Sequence, residues 1–289
     1  AAKPIIYGSI SAKICDIKSV INAPVGMGYV FSSDTVKAKI LRPIVKIFLK
    51  SLINTHNGFN RKNKVIFENK DDLNYFIELG AVNPNDACVI RGAGVNVERN
   101  LIKTKKLKIP TITLVARMLK DKGIYEFVAA ARKLKNQEIK GRFILVGDVD
   151  PLNPSSLDKK TLENWNSEKV INWLGWVNNI DSVLEQTDIL CLPSYREGLP
   201  KALIEGAAFG LPIITTDTVG CRDVVDNGVN GFLVPVKDIE QLSQKILKLL
   251  SNKKLREKMG KESFKIASSK FASKIINSQT IKLYDELFF

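Results

Sequence analysis

The sequence predicts an α/β fold built from two doubly wound parallel sheets, and three observations carry that expectation. Short β-branched runs alternate with helical patterns along most of the 289 residues. The runs are continuously apolar, as strands covered on both faces are, and the intervening patterns supply crossover helices. The pattern is complete in the second part of the chain, where six strands follow in order, and thinner in the first, where three do.

In chain order, residues 4–15 read as a helix, 18–23 as a strand and 36–53 as a basic amphipathic helix. A strand at 64–69 (KVIFEN), a helix at 71–80 and a strand at 87–91 follow. The stretch NVERNLIKTKKLKIP (96–110) is basic, lacks an apolar period and ends in Pro110, which reads as a linker. Beyond it come TITLVAR (111–117), RFILVGD (142–148), VINWLG (170–175), DILCLPS (188–194), PIITTD (212–217) and GFLVPV (231–236). Helices are expected between them at 123–136, 155–166, 179–187, 200–210 and 220–227. From 238 onward three helical stretches close the chain, the last at 273–288. The expected division is a partial N-terminal domain at 1–107, a complete second domain at 108–272 and a final helix, 273–289, returning to the first domain.

Composition narrows the function classes. With 45% hydrophobic and 26% charged residues, the chain can bury a core and is not disordered. The formal charge is +14, of which residues 1–110 carry +10 and residues 111–289 only +4, so attraction to a polyanion belongs to the first third. Cys15, Cys88, Cys191 and Cys221 show no metal-ligand spacing and point to a reducing compartment. His56 is the one histidine, which argues against a His-based metal centre or a Ser–His relay. No apolar run reaches the ~18–20 residues of a membrane span. The basic stretches lack interleaved aromatics, so a nucleic-acid role is a weaker account of the charge.

The densest chemical signal is SYREGLPKALIEGAAFGLPIITTD (194–217). A strand end, a Gly–Leu–Pro turn and a helix start place unpaired amides where ligands of parallel sheets bind. Glu197 and Glu205 stand eight residues apart, close to two helical turns, and can address one ligand at two points. A second cluster, VARMLKDKGIYEF (115–127), offers Arg117 and Lys122 beside a helix start, a combination suited to a diphosphate.

Together these motifs resemble the GT-B glycosyltransferases, in particular the retaining family 4 that uses nucleotide-sugar donors. The marks are EGLPKALIE (197–205) as Glu-x7-Glu, RMLKDKG (117–123) as R-x4-K-G, and a strand ending in LVGD (145–148). GLPIITTDTVGCRDVVDNGVNGFLVPVKD (210–238) fits as well, and GMGYVFSSD (26–34), NKVIFENKDD (63–72) and RGAGVNVERN (91–100) look like the bacterial subgroup that assembles surface polysaccharide, lipopolysaccharide and capsule.

The resemblance implies a GT-B fold and the following roles. Arg117 and Lys122 neutralise the donor diphosphate, Glu205 binds the ribose hydroxyls, and Glu197 faces the sugar. Gly198, Leu199 and Pro200 border the sugar and phosphate, Gly147 gives the ligand close approach, and Val177 lies at the base pocket. It implies transfer with retention from a UDP-linked donor to a lipid-linked or saccharide acceptor, with no metal and no cofactor. Asp148 and Asp150 in GDVDP match the Asp-x-Asp by which GT-A enzymes hold a metal, a pattern common by chance. The family's first strand, glycine-rich turn and sugar-side histidine have no counterpart here. The resemblance thus implies that ~80–100 residues of the first domain are missing, and that an inactive nucleotide-sugar-binding remnant is the alternative to an enzyme. Lys39, Arg42, Lys46 and Lys50 make a basic face fit for anionic lipid, which places the chain in the cytoplasm, peripheral on the inner face of the plasma membrane.

Overall fold

The computed structural model describes residues 2–25, 40, 42, 43, 47, 62–98 and 109–288. It divides into two compact units, Ala1–Gly94 with Lys274–Phe289, and Val95–Ser273.

The smaller unit begins with α1 (Ala2–Ile14), followed by β1 (Ser19–Asn22), β2 (Lys62–Phe67), α2 (Lys70–Glu78) and β3 (Ala87–Val89). The three strands pair in parallel in the order β1-β2-β3. Alternation along β2 sends Val65 and Phe67 to one face and Ile66 to the other. Val65 and Phe67 join Ile5, Phe76, Ala81 and Val82 in one cluster, whereas Ile66 packs with Ile21, Cys88, Ile90, Ile276, Leu283 and Leu287. The last three of these belong to the helix Ser273–Phe288, which therefore closes the second face of this sheet. Asn69 starts α2 by accepting the Asp72 N–H at 2.7 Å on its side-chain oxygen. Within the expected basic helix at 36–53, Arg42 is helical and half-buried and Ile40 and Ile47 are exposed. Lys39, Lys46 and Lys50 lie outside the described residues, as do His56, the segment 26–34 and most of the expected linker.

The larger unit contains β4 (Thr111–Val115), α3 (Ile124–Asn136), β5 (Arg142–Val146), α4 (Lys159–Ser167), β6 (Asn172–Trp173), α5 (Asp181–Leu184), β7 (Ile189–Leu192), α6 (Lys201–Ala208), β8 (Ile213–Thr216) and β9 (Gly231–Val234). It ends with α7 (Ile239–Leu250) and α8 (Lys253–Ile266), and the helix Ser273–Phe288 follows as α9. Six parallel strands run in the order β6-β5-β4-β7-β8-β9. The chain thus winds outward from β4 to one edge, then returns to β7 and winds to the other. Continuous apolar β4 and β7 sit at the centre, with Ile112, Leu114, Ile189 and Leu190 fully buried.

Three expectations need correction. Residues 220–227 are not helical: 220–224 form successive turns and Asn227 bridges to Gly231. Gly220 has φ +77°, and the buried Asn230 side chain takes the Val224 carbonyl and the Asp226 N–H that a helix would use internally. Residues 155–158 precede α4, because Ser155 and Leu157 bond back to Lys120 and Met118. The expected helix at 179–187 is one turn, Asp181–Leu184.

Candidate active site

The reversal of winding between β4 and β7 leaves a crevice at the carboxyl ends of these adjacent strands, where open α/β sheets bind ligands. The candidate side chains stand around this point. Arg117 lies two residues beyond β4, and Lys122 ends a single 3-10 turn, Lys120–Lys122. Glu197 lies five residues beyond β7, and Glu205 is on α6. Pro200 precedes α6 with no side-chain cap on the helix's first amides.

Lys122 and Glu197 meet directly. The Lys122 ammonium donates to Glu197 Oε1 at 2.6 Å and Oε2 at 2.7 Å, and the two side chains are only 17% and 13% exposed. The loops carrying them pack too closely for ordinary side chains. A Cβ on Gly123, whose φ is +72°, would lie 2.1 Å from the Pro193 carbonyl oxygen, and one on Gly220 would lie 2.4 Å from that of Gly198. Glycine is required at both positions by contact and by conformation. Cys221, buried beside the pair, has its thiol pushed up to about 12 by burial first and then by the Glu197 charge.

Arg117 turns elsewhere, donating to Asp150 Oδ2 at 2.7 Å. It lines a cavity of about 470 Å³ together with Gly147, Val177 and Glu205. Val115, Val146 and Ile180 supply an apolar floor, while Leu152 and Trp176, 97% and 74% exposed, stand at the margin. Burial holds the Glu205 carboxyl above its ordinary value, and Lys201 at 3.7 Å offsets part of that. The structure therefore gathers Arg117, Gly147, Val177 and Glu205 into one cavity. Lys122, Glu197, Gly198, Leu199 and Pro200 are not in its lining.

Gly147 has a reason beyond ligand access. With φ +124°, a Cβ there would lie 1.9 Å from the Ala116 carbonyl oxygen, so the turn after β5 is held against the turn after β4. Its own carbonyl accepts the Trp173 indole N–H at 2.8 Å. The Asp148 carboxylate accepts the Val149 N–H, and that of Asp150 takes Arg117. Among the described residues no three His, Cys, Asp or Glu side chains converge as a metal site, and no helix is long and apolar enough to cross a membrane. The cavity residues Trp176 and Ile180 went unmarked in the sequence. The run GDVDP placed Asp150 near the strand end but gave no sign of its pairing with Arg117.

Comparison with known proteins places this geometry in context. The profile described as "Glycosyl transferases group 1" matches residues 97–266. The chain is 31% identical, over 99% of its length and 76% of the relative's, to the N,N'-diacetylbacillosaminyl-diphospho-undecaprenol alpha-1,3-N-acetylgalactosaminyltransferase of Campylobacter jejuni. It is 26% identical, over 97% of its length and 70% of the relative's, to the UDP-Gal:alpha-D-GlcNAc-diphosphoundecaprenol alpha-1,3-galactosyltransferase of Escherichia coli. The capsular polysaccharide biosynthesis glycosyltransferase CapM of Staphylococcus aureus is 27% identical over 78% of the chain, which spans 59% of that relative. In fold, the crystal structure of Anabaena Alr3699/HepE in complex with UDP superposes with a TM-score of 0.79 at 18% identity, covering 99% of this chain and 77% of that one. The sucrose-phosphate synthase of Thermosynechococcus elongatus superposes with a TM-score of 0.81 at 20% identity, covering 97% of this chain and 71% of that one. The two parallel sheets and both neighbours agree with the expected GT-B fold class. By the match over most of its larger unit and the identity with the Campylobacter enzyme, the chain belongs to the group 1 glycosyl transferases.

Proposed function

We propose that the chain transfers a sugar from a UDP-linked donor to a lipid-linked saccharide of bacterial surface-polysaccharide synthesis, with retention and without a metal. The observation that carries this reading is the cavity beyond β4 and β5, which sets the Arg117 guanidinium and the Glu205 carboxylate about a shared apolar floor. That is the chemistry of a nucleoside diphosphate: the floor takes the base, the carboxylate takes ribose hydroxyls and the guanidinium takes phosphate. The acceptor class is suggested by the names of the Campylobacter and Escherichia relatives, which specify diphosphoundecaprenol saccharides.

In this mechanism Lys122 leaves Glu197 for the donor diphosphate, and Glu197 turns to the sugar hydroxyls. The bond from the anomeric carbon to the diphosphate oxygen breaks as a bond to the acceptor oxygen forms on the same face. The acceptor proton departs with the UDP. Arg117, Lys122 and the uncapped amides of α6 stabilise the negative charge that passes to the diphosphate.

The test is a panel of UDP-sugars with an undecaprenyl-diphosphate saccharide acceptor, run with and without chelator, and anomeric couplings read on the product. Retained configuration with chelator-insensitive turnover is expected. Inverted product, or turnover abolished by chelator, overturns the corresponding part. Donor binding with no turnover under any pairing would instead identify a nucleotide-sugar-binding remnant.

A further inference from the structure

Tyr195 is absent from the roles assigned above, yet it joins the loop that carries Glu197 to the loop that carries Lys122 and to two segments packed beside them. Its N–H donates to the Asp121 carbonyl at 2.8 Å, one residue before Lys122, and Ser194 Oγ donates to the same oxygen at 3.0 Å. Its carbonyl accepts Thr218 Oγ1 at 2.9 Å, in the loop that packs Gly220 against Glu197 and Gly198. Its phenol donates to Glu126 Oε1 at 2.6 Å, at the start of α3. Its ring lies 4.9 Å below the Lys237 ammonium, in the loop after β9.

Two costs are concentrated on this one side chain. Glu126 is 8% exposed and its second carboxylate oxygen has no hydrogen-bond partner among the described residues. Lys237 holds φ +65°, a conformation that disfavours any residue with a Cβ. Folding stability would be served by an apolar residue at 126 and glycine at 237, and local strain of this kind gathers where geometry has to be held.

We propose that Tyr195 is a positioning residue, clamped by Glu126 and Lys237, that fixes the Lys122 loop against the Glu197 loop so that the ion pair forms in the correct register. The inference rests on the transfer reading for its kinetic consequence, though not for its structural one.

Two variants and two readouts test it. In Tyr195→Phe, kcat falls about tenfold or more while the donor KM stays within about twofold, the pattern of misplaced catalytic groups. Independently of activity, acetic anhydride labelling of Lys122 speeds up about threefold or more as the partly buried ion pair loosens. Labelling of Lys159, 65% exposed, is unchanged. Lys237→Gly melts at the same or a higher temperature yet has a lowered kcat, a split that a residue serving stability alone does not produce. Lys122 protection unchanged in Tyr195→Phe overturns the inference, as does full kcat in both variants. If the parent chain turns over no UDP-sugar, the transfer reading fails, and Lys122 labelling still decides the positioning role.

Discussion

Replacing Glu197 by Gln should tighten UDP binding while abolishing transfer. The reason is the Lys122–Glu197 ion pair, in which the ammonium spans both carboxylate oxygens at 2.6 and 2.7 Å in a site nearly closed to water. A diphosphate that recruits Lys122 must first displace that carboxylate. A charge-assisted hydrogen bond contributes about 1.5–3 kcal/mol and a neutral one about 0.5–1.5 kcal/mol, so an amide at 197 lowers the cost of release by ~1–2 kcal/mol. That difference corresponds to roughly 5–30-fold in Kd. UDP lacks the transferred sugar, so the lost contact between Glu197 and that sugar's hydroxyls does not enter the measurement. Titration calorimetry with UDP at fixed ionic strength reads the effect, and the same substitution in a Lys122→Ala background serves as the control. There the gain should vanish, since no ammonium remains to be released. Unchanged or weaker UDP binding by Glu197→Gln would show that Lys122 does not serve the diphosphate, and the assignment of both residues would fall.

Arg117→Ala breaks an ion pair whose cation is 61% exposed, so urea unfolding should shift by no more than about 1 kcal/mol. Its kcat/KM should nonetheless fall by about 100-fold or more, the loss expected when one stabiliser of leaving-group charge is removed. Gly123→Ala must place a methyl 2.1 Å from the Pro193 oxygen at φ +72°. Left-handed strain of about 1–2 kcal/mol and overpacking of about 1–3 kcal/mol predict ~2–5 kcal/mol of destabilisation in urea unfolding, and a loss under 1 kcal/mol would mean the two loops are not locked. Glu205 has its folded-state pKa raised, chiefly by burial, so the charged form costs stability. That contribution to stability is fully present below the unfolded value, near 4.5, and is lost as pH rises through the folded value. Glu205→Gln should therefore raise the melting temperature at pH 7.5, leave it unchanged near pH 4, and weaken UDP binding throughout.

Strands were legible because their signal is local. Each β-branched run in the larger unit contains the strand found there, from TITLV at 111–115 to GFLV at 231–234, and the final helix was placed at its observed residues, 273–288. Helix existence was less legible where a distant side chain intervenes. Nothing in GCRDVVDN announces that Asn230 will take the hydrogen bonds of a helix at 220–227. Gly147 reads in the sequence as ligand access, whereas it and the glycines at 123 and 220 are compelled by carbonyl oxygens of neighbouring loops, contacts that appear only once the sheet order is known. The same limit governs the site. Spacing placed Arg117, Lys122, Glu197 and Glu205 at strand ends and on one helix, and the sheet order brings those ends together. Spacing does not say which charges pair, because that depends on loop closure and on which oxygens water can still reach. Lys122 closes on Glu197 while Arg117 closes on Asp150, and Glu205 shares Arg117's cavity without pairing to it. Both cations are paired with carboxylates, so in the proposed transfer donor binding is an exchange of carboxylate partners for phosphate ones. Affinity for nucleotide then measures the difference between two sets of charged contacts, which is why removal of an acid can strengthen it.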